Sequence, residues 1–131
     1  MNKMLKNAVV NENEIELTKW LGSSPAQKKG IDTEEYQWIE KALIGKWHSQ
    51  HEDLVNTIYL SNLKHDKFVD PILEIALNKD IFRSYDGELE STLRKCVHAL
   101  KTINSMKSKK GLKKLKELNN SNIQFALNMY E

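Results

Sequence analysis

The chain has 131 residues, 40% hydrophobic and 29% charged, with a formal net charge of +2 at pH 7. That composition is ordinary for one folded soluble domain with a real core. Five glycines and two prolines speak against an all-β chain of tight turns, and a lone cysteine, Cys96, excludes an internal disulfide and suits a reducing, cytoplasmic compartment.

Residues 1–21 carry Ile15, Leu17, Trp20 and Leu21, which fit a short helix or, by alternation, a strand. The apolar stretch there ends after Ala8-Val9-Val10, too short for a signal-peptide core, and no run approaches the length of a membrane span. Gly22-Ser23-Ser24-Pro25 reads as a turn and Lys28-Lys29-Gly30 as a loop. Residues 1–30 are therefore expected to form a cap or linker ahead of one helical domain over 31–131.

From there the apolar period is helical. Asp32 with Glu35 three residues on opens a helix over 33–46 built on Tyr36, Ile39, Leu43 and Trp47. Ser49 and Glu52 repeat that capping pattern before a second helix to about Leu63, carrying Leu54, Val55, Ile58 and Leu60. A third, from about Asp66, places Pro71 in its first turn and Phe68, Ile72, Leu73, Ile75, Ala76 and Leu77 in the core. Residues 80–87 form a connector turning at Tyr85-Asp86-Gly87. A fourth helix over 88–103 buries Leu89, Leu93, Cys96, Val97, Leu100 and Ile103. A fifth over 109–118 uses Leu112, Leu115 and Leu118, and a sixth, capped by Asn120 or Ser121, carries Ile123, Phe125, Ala126, Leu127 and Met129.

A shift of 40 residues lays Leu60 on Leu100, Leu63 on Ile103, Ile72 on Leu112 and Ile75 on Leu115. That spacing suits two-helix repeats of the HEAT and armadillo kind. The expected fold is all-α: a short superhelix of about three hairpins, 33–46 with 50–63, 67–78 with 88–103, and 109–118 with 121–130, behind an N-terminal capping segment.

Charge is split along the chain. Residues 31–90 hold 13 acids against 6 bases, whereas residues 91–131 hold 9 bases against 2 acids. Such asymmetry bears on partners more than on fold.

Trp47-His48-x-x-His51-Glu52-Asp53, Tyr85-Asp86 and Arg94-Lys95-Cys96-Val97-x-Ala99-Leu100 resemble small bacterial HEAT-repeat proteins, some of which act as immunity proteins for secreted toxins. The resemblance spans about residues 33–130, leaves 1–30 outside, and weakens in the lysine-loaded last repeat. It implies a non-catalytic protein that works by binding another protein, with no cofactor and no metal. The expected partner is a cognate toxin domain, for example a nuclease whose basic site is covered by an acidic concave face. The residues assigned to that face are Trp47, His48, His51, Glu52, Asp53, Tyr85, Asp86 and Glu88.

Other chemistries have less to stand on. His48 and His51 with Glu52 and Asp53 invite a metal, but the spacing lacks HExxH and a third ligand beyond His65 or His98. One imidazole is expected against Trp47 and the other in solvent. Arg94 is expected to pair with Glu52 or Asp53 between repeats, and Cys96 to be a small buried hydrophobe rather than a nucleophile. Residues 101–117 hold seven lysines and one acid. Lys109, Lys110, Lys113 and Lys114 thus supply the alternative function, nucleic-acid binding, though no arginine or aromatic accompanies them to read bases.

Overall fold

The computed structural model describes residues 3–23 and 31–130. Among them there are nine α-helices and no strand: α1 Met4–Val10, α2 Glu14–Leu21, α3 Thr33–Leu43, α4 His51–Leu60, α5 Val69–Leu77, α6 Lys79–Phe82, α7 Ser91–Ile103, α8 Met106–Lys116 and α9 Ser121–Asn128, with a 3-10 turn at Asp66–Phe68 before α5. The loop expected at Lys28-Lys29-Gly30, and the Ser24-Pro25 half of the turn before it, lie outside the described residues. Residues 4–21 are two helices, so helix rather than strand holds there.

Local side-chain caps start four of the nine helices. The side chain of Asn13 accepts the Glu16 amide, Asp32 accepts those of Glu34 and Glu35, and Asn120 accepts those of Asn122 and Ile123. Ser105 and Ser108 form a reciprocal capping box, which starts α8 three residues earlier than its leucines alone suggest. With glycine scarce, asparagines make three of the five left-handed turns among the described residues, Asn62, Asn104 and Asn119, and Glu12 and Glu90 make the other two.

The helices pair as hairpins α1/α2, α3/α4, α5/α7 and α8/α9. First helices touch in the order α1, α3, α5, α8, and second helices in the order α2, α4, α7, α9. Residues 4–21 therefore add a fourth hairpin to the three expected, and Leu5, Ala8, Val9, Leu17 and Trp20 join the common core. Helix α7 lies at the centre, packed on α4, α5, α8 and α9, and its buried face of Leu93, Cys96, Val97, Ala99, Leu100 and Ile103 explains why. Of the four apolar pairs related by 40 residues, three are buried at both positions; Leu60 is exposed.

Several leucines expected inside are outside because they fall at or beyond helix ends. Leu60 ends α4, Leu77 ends α5, Leu89 precedes α7 and Leu118 follows α8; all four are exposed. Phe125 and Met129 are exposed as well. Phe125 faces α7, where the Arg94 guanidinium sits 4.2 Å above its ring.

Candidate functional site

The Trp47–Asp53 stretch joins α3 to α4, and its two imidazoles are structural. His48 Nε2 lies 2.7 Å from the Ala42 carbonyl and His51 Nε2 2.7 Å from the Gly45 carbonyl. A carbonyl only accepts, so both Nε2 atoms carry hydrogen. The His48 Nδ1 accepts the Gln50 amide at 2.9 Å, which makes that ring neutral. The rings stack with centroids 4.3 Å apart, and Trp47 meets His48 edge-on at 4.6 Å. Both are buried, which corrects the expectation that one would face solvent. Burial lowers the pKa of each; for His51, burial and the neighbouring His48 push it down to about 4. Two neutral imidazoles thus donate to the Ala42 and Gly45 carbonyls where α3 gives way to the turn before α4.

The expected Ser49–Glu52 capping box does not form. Gln50 occupies the N-cap position without a side-chain cap bond. Instead the Glu14 carboxylate, at the start of α2, accepts from the Ser49 amide, the Ser49 hydroxyl and the Gln50 side chain, each at 3.0 Å. The Gln50 and Ser49 bonds hold its pKa below the usual carboxylate range. The Glu52 amide donates to the Tyr85 hydroxyl at 3.0 Å. Long-range acceptors have displaced the local one.

Glu52 itself reaches α7, but its partner is Lys95 at 2.7 Å and not Arg94. One residue on a helix rotates a side chain by about 100°, so Lys95 faces α4 while Arg94 faces α9. There Arg94 donates to the side-chain amide oxygen of Asn122, Oδ1, through Nε at 3.1 Å and a terminal nitrogen at 2.6 Å.

Arg83 organises the second polar cluster. It is buried, donating to the Ile75 carbonyl at 3.0 Å and the Ala76 carbonyl at 2.8 Å, and pairing with Asp86 at 3.1 Å and Glu90 at 3.2 Å. The other oxygen of Asp86 accepts the Thr92 amide and hydroxyl, so this carboxylate starts α7. Burial alone would raise the Glu90 pKa; bonds from Asn120, Asn122 and Arg83 outweigh it and hold the group low. That bridging also keeps Glu90 at its left-handed φ of 43°. Nothing periodic marks Arg83; its only signal in the chain is a cation spaced three and seven residues before two acids.

The eight residues assigned to a partner surface therefore divide. His48, His51 and Asp86 are buried with structural partners and present no surface. Trp47 is half-buried on His48 and Glu52 half-buried on Lys95, while Asp53, Tyr85 and Glu88 are exposed. Tyr85 draws these together, since its hydroxyl lies between Glu52 of α4 and Thr92 of α7. Of the remaining acids, Glu52 and Asp53 lie in the first turn of α4, and Glu88 lies three residues beyond the exposed Tyr85, ahead of α7. Towards the other end of the same helices His98 stacks on Tyr59 at 5.3 Å, and its Nδ1 lies 2.6 Å from the Tyr130 hydroxyl.

Lys109, Lys110, Lys113 and Lys114 are all exposed on α8. Cys96 is fully buried and its thiol is pushed up to about 12 by that burial, the behaviour of a packing residue. Among the described residues no group of three or more His, Cys, Asp or Glu side chains is placed to hold a metal ion, and no helix is long and apolar enough to cross a membrane. Comparison with protein-family models, curated proteins and solved structures returns no match to this chain.

Proposed function

We propose that this chain is a non-catalytic protein-binding module of the HEAT or armadillo kind, and that it acts in the cytoplasm as an immunity protein, binding and neutralising a toxin domain. The observation that carries this reading is where the residues of the resembling motifs meet. Tyr85 and Lys95 both meet Glu52 at the junction of α4 with α7, where these two contacts tie one hairpin to the next, while His51 closes the α3–α4 turn and Asp86 starts α7. Motifs spent on stacking support a repeat scaffold, whose use is to present a surface. The surface left over is an acidic edge of Asp53, Glu88 and the half-exposed Glu52, with the Tyr85 ring as an aromatic anchor. It suits a basic, phosphate-handling site on a toxin.

The test is co-purification with the product of the adjacent reading frame. A 1:1 complex is expected, weakening at high salt and in the doubly reversed variant Asp53→Lys/Glu88→Lys. A complex indifferent to both would remove the acidic edge from the account, and no complex with any neighbouring product would remove the immunity role. The alternative, nucleic-acid binding through Lys109, Lys110, Lys113 and Lys114, predicts a gel shift with steep salt dependence that neutralising those lysines abolishes.

A further inference from the structure

A second surface, on the basic half of the chain, carries an inference independent of the acidic edge. A cleft of about 330 Å³ opens between α7, α8 and α9, lined by Lys101, Leu112, Lys113, Lys116, Gln124, Leu127 and Tyr130. Its lining is chemically two-sided. Leu112 and Leu127 supply an apolar floor, and the Tyr130 ring a wall held in place by the bond between its hydroxyl and His98. Three lysines add positive charge, and among the described residues none of the three makes an ion pair and no carboxylate lines the cleft. Lys101 Nζ stands 5.3 Å from the centroid of the Tyr130 ring, so cation and aromatic wall share one side of the cleft. Three cations around one concave site repel one another until an anion enters. Gln124 adds an amide that can donate to an oxyanion.

We propose that this cleft binds a phosphate monoester carried on an aromatic or apolar body, the dianion lying against Lys101, Lys113 and Lys116 and the body against Leu112, Leu127 and Tyr130. A dianion answers three lysines better than a carboxylate does, and the apolar floor distinguishes the site from the lysines along the open face of α8. The volume is at the lower end of the range for small-ligand sites, which sets the size to a single ring with its phosphate. Two sources share that chemistry: a small phosphate ester, and the 5′-phosphorylated end of a nucleic acid strand.

The experiment is an amide-resolved titration of the intact chain with phenyl phosphate at neutral pH, where the ester is mostly dianionic. Saturable changes in the amide signals of Leu112, Leu127 and Tyr130 are expected, with benzoate bound about tenfold more weakly and Lys113→Gln/Lys116→Gln weakening the ester about tenfold or more. Lys109→Gln/Lys110→Gln, on the open face, removes the same charge and is expected to leave the affinity within about twofold. Absence of saturable changes, equal affinity for benzoate, or equal loss in both double variants would overturn the proposal. Within a positive result, tighter binding of a 5′-phosphorylated oligonucleotide than of its 5′-hydroxyl form assigns the site to a strand end. Equal binding of the two assigns it to a small ester.

Discussion

Acidifying the solution charges His51 in the unfolded chain before it charges His51 in the folded one. The ordinary pKa of 6.5 is pushed down to about 4 in the fold, chiefly by burial and then by the neighbouring His48. Between those values the unfolded chain binds a proton that the fold refuses, so stability falls as pH falls. The contribution is whole above 6.5 and is lost progressively toward 4. Each tenfold difference in proton affinity between the folded and unfolded chain is worth about 1.4 kcal/mol, so at about pH 5 the loss for His51 amounts to roughly 2 kcal/mol. His48, lowered by burial too, adds loss in the same direction. Glu14 and Glu90, held low by their hydrogen bonds, lose their share only as pH drops below the ordinary carboxylate value of 4.5, so they leave the upper window to the histidines. Urea denaturation followed by tryptophan fluorescence at about pH 7.5 and about pH 5 measures the loss. The variant His51→Gln keeps a donor toward the Gly45 carbonyl but cannot titrate. It should lose about 2 kcal/mol less than the parent between the two pH values. Equal losses in the two proteins would refute the reasoning, whatever their absolute stabilities.

Three further outcomes follow from the same contacts. Arg83→Leu removes the buried cation paired with Asp86 and Glu90 and the side-chain donor to two helix-end carbonyls, and should cost about 3–5 kcal/mol in urea denaturation, whereas a cost below about 1 kcal/mol would mean the cluster carries no stability. A double-mutant cycle of Glu52→Ala and Lys95→Ala should give a coupling of only about 0.5–1 kcal/mol, because both groups are partly exposed, and salt should reduce it; a coupling above about 3 kcal/mol would contradict that. Gly45→Ala puts a Cβ 2.6 Å from Trp47 Nε1, so the indole must move off His48. The expected cost is about 1–3 kcal/mol with an altered Trp47 emission, and unchanged stability and emission would show that the joint is loose.

The sequence announces its helices wherever a buried stripe runs through them. In α3 the stripe is Ile39 and Leu43, in α4 Leu54, Val55 and Ile58, and in α7 the run from Leu93 to Ile103, and the pairing of three hairpins follows from them. Asp32 and Asn120 cap as their local patterns indicate. What the pattern does not supply is competition from far along the chain. Ser49 has the right neighbour for a capping box, yet a carboxylate 35 residues away takes its amide and hydroxyl. Lys95 and Arg94 are adjacent and both basic, so only the rotation of α7 decides which one meets Glu52. The inward turn of His48 and His51 depends on the Ala42 and Gly45 carbonyls lying within reach, which no residue type encodes. Polar atoms at helix ends are the least legible part of the site, because backbone groups there choose partners by geometry.

The most direct test of the proposed role is growth of cells that make the product of the adjacent reading frame, with and without this chain. An immunity role predicts that this product alone arrests growth, that the wild-type chain restores it, and that Asp53→Lys/Glu88→Lys, folded as judged by circular dichroism, fails to. A neighbouring product that is harmless, or one whose toxicity the wild-type chain leaves untouched, would contradict it.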